Sequence, residues 1–397
     1  MVDPVLPHMD GIRSQFQLRS DIKFLNHGSF GACPIPVFEV YQAWQRELEL
    51  QPVEFLGRRI TTLMAEARQA LGDYLQVPAE NVVYFTNPTT AFNMAARSLD
   101  LTPGDTILAT DHEYGAMDRT WHFITKHTGS KYVNFHIIMP VYDPDEWVEQ
   151  FWSGVSKHTK IIFMSHLTSP TALIFPVSEI CRRAKEHGIL TIIDGAHAPG
   201  QLCLNLADLQ ADIYIGALHK WLCAPKGSAF LYASPEIQSR LAPLVVSWGY
   251  ESENPSNSQY VDYHEWQGTR DMSAFLSVPA AIRFQNEHNW SEYREICHTR
   301  AINTRNELNR LMGLPALSKD NAAGGYQWVG QMVSIRLPEC DVKQLKQILY
   351  DQYAIEIPVF RWQGQPIVRL SVQAYNTEAE LQALIFALNE YFFESKQ

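Results

Sequence analysis

Short apolar runs alternate with amphipathic stretches through the middle of the chain. Residues 82–86 (VVYFT), 106–110 (TILAT), 160–165 (KIIFMS), 190–194 (LTIID) and 212–216 (DIYIG) are brief, and most are rich in β-branched or aromatic side chains. That pattern predicts buried strands. Between them, residues 176–187 set Val177, Ile180, Cys181 and Ala184 on one helical face, with Gly188 placed to end the helix. Asp143-Pro-Asp-Glu predicts a helix start with an acidic first turn. Strand–helix–strand alternation implies an α/β fold, with a mostly parallel sheet covered on both faces.

Upstream, residues 36–50 and 60–75 repeat apolar positions at helical spacing and predict two entry helices. Residues 251–259 (ESENPSNSQ) form the clearest polar loop. Beyond it, 275–311 reads as one long helix. A strand at 331–337, a helix at 342–352, a strand at 367–371 and a last helix from Thr377 suggest a smaller α+β domain. The division expected is an N-terminal arm (1–20), a large domain (21–275) and a small C-terminal domain (276–397).

With 397 residues, 46% hydrophobic and 19% charged, the chain can bury a sizeable core. Its net charge of −11 argues against a broad basic surface, so neither nucleic acid nor a membrane is expected as partner. The six cysteines form no C-x-x-C pair, and no histidine spacing suggests a metal. No run approaches a membrane span and the first residues lack a signal peptide's apolar stretch, so a reduced, cytoplasmic enzyme is the expectation.

In open α/β sheets ligands gather at the carboxyl ends of the strands. Asn87-Pro-Thr-Thr follows the first run and opens a helix, where Thr89 and Thr90 suit either a phosphate or simple capping. Asp194 ends a very apolar strand, where a carboxylate is costly unless a cation meets it; a buried ion pair would serve equally. Lys220 follows the next strand, as a surface lysine or as an amine of lowered pKa fit to act as nucleophile or base. Asp194 and Lys220 lie one strand–helix–strand step apart, at the same end of one sheet. A phosphate cradle, a carboxylate and a lysine on one rim are what pyridoxal 5′-phosphate (PLP) needs.

The chain resembles the class V aminotransferases, fold type I PLP enzymes, and within them the isopenicillin N epimerase-like branch. The resemblance rests on Leu25-Asn-His-Gly-Ser-Phe-Gly31, Asn87-Pro-Thr-Thr90, Asp111-His-Glu-Tyr-Gly115, Ser165-His-Leu-Thr-Ser-Pro-Thr171, Asp194-Gly-Ala-His197, His219-Lys-Trp-Leu-Cys-Ala-Pro-Lys-Gly227 and Gly268-Thr-Arg270, in family order over residues 20–375. It implies a large domain with a mostly parallel seven-stranded sheet and a smaller C-terminal α+β domain. It implies Lys220 as the Schiff-base lysine, Asp194 on the pyridinium nitrogen and His197 at the phenolic oxygen. Tyr114 would stack on the ring, and Thr89, Thr90 and His219 would bind phosphate. Thr269 would reach the neighbouring subunit's phosphate in a homodimer with shared sites, and Arg369 would grip the substrate α-carboxylate. Ser169 stands where many members carry Asn. Cysteine desulfurases carry a nucleophilic Cys before the Arg369 position; residues 355–368 hold none.

Each reaction open to such a site begins with removal of an amino acid's Cα proton, by Lys220 as general base. Epimerisation then needs an acid on the far face, for which His27 and Tyr114 are candidates, although His27 also suits a structural turn. A C–S lyase needs only Lys220 and Arg369. The reading adopted is an epimerase-like enzyme acting on an amino acid or peptide-like small molecule, then a C–S lyase, then an aminotransferase, and last a non-catalytic PLP binder. Asn26, His27 and Trp362 are the further substrate-contact candidates, Trp362 also suiting core packing. Arg361 and Arg270 are candidates for a second carboxylate.

Overall fold

The computed structural model describes residues 9–320 and 323–394. Seven strands form the central sheet: β1 (Val82–Phe85), β2 (Thr106–Thr110), β3 (Lys131–Phe135), β4 (Thr159–Ser165), β5 (Leu190–Asp194), β6 (Ile213–Ala217) and β7 (Ala229–Ala233). Their spatial order is β1-β7-β6-β5-β4-β2-β3. The strand β7 runs antiparallel to β1 and β6, and every other pairing is parallel. The apolar runs are continuous because both faces are buried. Ile162, Met164, Ile193 and Tyr214 join one core, while Ile161, Phe163, Ile192, Ile213 and Ile215 join the core on the opposite face.

Two of these strands carry no signal read from the sequence. The edge strand β3 (KYVNF) leaves Lys131, Val133 and Asn134 exposed, so its apolar run is broken. In β7 (AFLYA) the run is as apolar as a buried helix segment, and periodicity does not separate the two. The stretch expected as one helix from 275 to 311 is three: Ser273–Leu276, Val278–Glu287 and Trp290–Met312. Pro279 sits in the first turn of the second, where its missing N–H costs nothing, and Asn289 takes a left-handed φ of 49° before the third.

The C-terminal part holds a second sheet of β8 (Met332–Arg336), β9 (Val359–Trp362) and β10 (Gln365–Ser371), antiparallel in the order β9-β10-β8. Helix Val342–Tyr353 starts on an Asp341 cap and helix Glu378–Asn389 on a Thr377–Glu380 capping box. Val333, Ile335, Val368 and Leu370 point into the main core. The opposite face carries Met332, Ser334, Arg369 and Ser371, with Arg369 paired to Ser334 and Ser371 to Met332. This α/β arrangement matches the fold class expected. The start of the chain crosses to this second sheet's side: Lys23–Phe24 pairs in parallel with Ile355–Glu356, and Arg13 bonds the Tyr375 carbonyl at 3.0 Å. Residues 1–8 of the expected arm lie outside the described residues. Among the described residues no helix is long and apolar enough to cross a membrane.

Candidate active site

The strands β5 and β6 lie side by side, with Asp194 opposite Ile215, and each delivers one charged side chain past its carboxyl end. Two glycines hold the turn that carries Lys220. Gly31 has φ +70°, and a Cβ there would sit 2.0 Å from the His219 carbonyl oxygen. Gly200 has φ +84°, and a Cβ would meet the Trp221 carbonyl carbon at 2.2 Å. Any side chain at either position would displace the lysine's backbone.

The Lys220 Nζ lies 3.1 Å from His197 Nε2, while Trp221 Nε1 donates to His197 Nδ1 at 3.3 Å. An indole N–H can only donate, so Nδ1 accepts and the neutral imidazole carries its proton on Nε2. That N–H faces the lysine, which accepts it only as a free amine. Burial, then the Arg369 charge, push Lys220 down to about 8, with Asp194 opposing, so the free amine gains ground as pH rises through that value. Burial, then Lys220, also hold His197 well below its ordinary value.

Asp194 is 4% exposed and its Oδ1 accepts from the Ala196 N–H at 2.9 Å. Its other oxygen has no hydrogen-bond partner among the described residues. Burial raises its pKa, against the Ala196 bond and Lys220. A cationic N–H from a ligand would satisfy that oxygen and reverse the shift.

These groups share a cavity of about 650 Å³ of open space, whose wall also carries Ser29, Phe30, Thr89, Tyr114, Ser165, Ser169 and His219. Thr89 stands at the start of helix Pro88–Arg97, but Thr90 turns its hydroxyl back to Asn87 Oδ1 at 3.1 Å and so completes the cap. His219 Nδ1 bonds the Ser228 carbonyl at 3.1 Å, and burial pushes the ring down to about 4. Tyr114 is 47% exposed and lies on the cavity wall ahead of helix Gly115–Thr128.

Arg369 stands on β10 and is 6% exposed, behind Ser29 and Ser169 of the cavity wall. Its Nη1 donates to the Ser169 carbonyl at 2.7 Å and to Ser169 Oγ at 3.0 Å, its Nη2 to Ser29 Oγ at 3.1 Å, and its buried Nε has no partner among the described residues. The two serines thus orient the guanidinium. Asn26 stands one step back, bonded to Ser29 and to Glu356.

His27, Trp362 and Thr269, like Thr90, Asn26 and Arg369, are not on this wall. His27 is fully buried, with Nδ1 on the Tyr375 hydroxyl at 2.8 Å and Nε2 on the Lys220 carbonyl at 3.0 Å; it buttresses the lysine turn. Trp362 packs on His112 with ring centroids 4.6 Å apart. Thr269 is exposed and away from the cavity. Arg361 is engaged by Glu339 and the Gly364 carbonyl, and Arg270 by the Glu265 carbonyl and Gln267, so neither is free for a second carboxylate.

Sequence reasoning assigned no role to Ser29, Trp221 or Glu113. Glu113 is buried and accepts from the Ser165 N–H at 2.8 Å, its hydroxyl at 2.6 Å and Thr110, which ties the ends of β2 and β4 beneath Tyr114; burial pushes it up to about 8. All three sit inside the quoted motifs, which was the available signal.

The Aminotransferase class-V family model matches residues 38–384. The chain belongs to the class V aminotransferase family. It is 36% identical to an isopenicillin N epimerase of Amycolatopsis lactamdurans, over 95% of this chain and 97% of that one. It is 27% identical to a putative L-cysteine desulfhydrase 1 of Oryza sativa subsp. japonica, over 96% of this chain and 85% of that one. Its fold matches that of the cystine C–S lyase C-DES with a TM-score of 0.80 at 22% identity, covering 94% of this chain and 98% of that one. This class V protein is a PLP-dependent enzyme of fold type I. Its residues fit the cofactor: the unsatisfied Asp194 oxygen suits a protonated pyridine nitrogen, and the free amine of Lys220 suits a carbonyl carbon.

Proposed function

We propose that this enzyme epimerises or racemises the Cα centre of an amino acid or peptide-like substrate. The observation that carries the reading is the Trp221–His197–Lys220 chain, which presents a neutral amine beside an unsatisfied carboxylate. The 36% identity to an isopenicillin N epimerase over nearly the whole of both chains supports epimerisation.

In this reading Arg369 binds the substrate α-carboxylate. Its Nη groups are already oriented by Ser169 and Ser29, so little freedom is lost on binding. Lys220 holds the cofactor and then takes the Cα proton. When bound, PLP supplies the electron sink that acidifies that Cα–H. Asp194 keeps the cofactor's ring nitrogen protonated, and His197 donates its Nε2 proton to the phenolic oxygen. Thr89 and His219 hold the phosphate, whose charge would raise the His219 pKa from its low value. The far-face acid is Tyr114, which lines the cavity, and not the enclosed His27.

The second reading is β-elimination of a sulfur group, supported by the 27% identity to a putative L-cysteine desulfhydrase. It uses Lys220 and Arg369 without a far-face acid. Incubating the holoenzyme with a panel of amino acids in D₂O separates the two. Deuterium at Cα with inversion supports epimerisation, and sulfide with pyruvate supports the lyase. A dependence on an amino acceptor would replace both with transamination.

We further propose a cytoplasmic homodimer with shared sites and a division between residues 275 and 276. Phe30 on the cavity rim is 71% exposed and Trp248 is 87% exposed, as surfaces awaiting a second copy would be. Thr269 would then serve the partner's phosphate.

A further inference from the structure

Ser165, the last residue of β4, lines the cavity, yet its hydroxyl is committed behind the wall. It donates to Glu113 Oε2 at 2.6 Å, and the Ser165 N–H donates to the same oxygen at 2.8 Å. The Thr110 hydroxyl donates to Oε1 at 2.5 Å. A backbone N–H can only donate, so Oε2 accepts, and a serine has one hydroxyl proton to give. Register shows what that proton would otherwise meet. Ser165 is paired with Asp194 across β4 and β5. Ile161, Phe163 and Ile192 share one core, so by alternation Ser165 and Asp194 continue the same face. Neighbouring strands lie about 4.8 Å apart, which brings a serine hydroxyl within reach of a carboxylate beside it. Among the described residues Asp194 nevertheless accepts from the Ala196 N–H alone. Burial raises Glu113, and the Asp194 charge adds to that, as expected of two neighbouring carboxylates.

We propose that Glu113 is a positioning residue: it keeps the Ser165 hydroxyl turned away from Asp194 and so reserves the open Asp194 oxygen for the cofactor's ring nitrogen. This rests on the reading of Asp194 as that nitrogen's partner. A released hydroxyl would donate to Asp194, satisfy the open oxygen and weaken the carboxylate's hold on a cationic N–H. Glu113 therefore acts through Ser165 and needs no contact with the cofactor itself.

Equilibrium titration of the full-length apoenzyme with PLP reads the effect without turnover. E113M keeps the length of the side chain but not its acceptor, and should weaken PLP binding about tenfold, the scale of one charge-assisted hydrogen bond. In an S165A background there is no hydroxyl to release, and the same change should cost less than about twofold. E113Q loses the charge but still accepts, because the Ser165 N–H selects the amide oxygen, and should stay within about twofold of the parent. If E113M does not fold, E113D takes its place in the same cycle, since its carboxylate ends one methylene short of Ser165. A loss as large with S165A as without it marks a structural role and overturns the proposal. So does a loss in E113Q equal to that in E113M, or no loss in E113M. D194N tests the reading beneath: unchanged PLP binding there removes the ring-nitrogen assignment, whereas a D194N loss with no dependence of E113M on Ser165 overturns the role of Glu113 alone.

Discussion

On the large-sheet wall of the cavity, among the described residues, Asp194 accepts one hydrogen bond and the Lys220 amine has one hydrogen-bond partner, His197. Behind the part of the wall made by Ser29 and Ser169, Arg369 spends Nη1 and Nη2 on three acceptors from those two serines. Both walls are buried, and both hold charged residue types. Burial moves pKa values on both, pushing Lys220 down to about 8 and Arg369 down to about 10, but the first gives its groups one polar partner each. The second supplies partners in advance, so its cation is fixed in direction. In the proposed reading, chemistry falls to the wall with fewer partners and recognition to the wall whose cation is held in place.

Substitutions on the two walls should therefore fail in different ways. K220A has the largest effect expected: Cα–H exchange falls about 10⁴-fold, the upper range for a positioned base, and borohydride no longer fixes the cofactor to the chain. Full exchange in K220A would end the assignment. D194N keeps the shape and removes the charge, with exchange expected to fall about 10²–10³-fold, as for a lost electrostatic stabiliser. R369Q should lose about 10²-fold in kcat/KM, mostly through KM, from roughly 3 kcal/mol of a buried charge-assisted contact. An R369Q defect confined to kcat would blur the contrast between the walls.

Smaller effects sharpen it. Because Lys220 is pushed down to about 8, the neutral amine is lost as pH falls through that value. Capture of added PLP by apoenzyme should rise about tenfold per pH unit below 8 and level off above it, whereas an ordinary lysine would keep gaining towards 10.5. In W221F, Nε2 of His197 is free to accept instead of donate, and the midpoint of that profile should move upward by less than about one unit, the scale of one hydrogen bond. S29A removes one acceptor from Arg369 and should raise KM about fivefold, near 1 kcal/mol. A change in kcat with KM untouched would argue against a purely orienting role.

Much of the site was readable because of where the charges fall in the pattern. Asp194 and Lys220 each follow an apolar run long enough to be a buried strand, and parallel strands leave the sheet at one end. Thr89 and Thr90 could not be told apart in this way. Their split, one facing the cavity and one closing the cap, depends on the helix's rotation about its own axis. His27 had two readings, a substrate contact or a structural turn, and adjacency to Gly28 says nothing of the Tyr375 hydroxyl, which arrives from the other end of the chain. Likewise, the Glu339 contact that occupies Arg361 shows only in the fold.

The order of residues alone determined a mostly parallel α/β sheet, the carboxylate and amine at its rim, and the want of a cysteine before Arg369. Those follow from burial, period and residue type, which are local. The tautomer of His197 and the orientation of Arg369 by two serines far apart in the chain were decided by the tertiary structure. Each depends on a hydrogen-bond partner brought close by folding, or withheld by it, and no local pattern encodes the partner that a buried polar group will find.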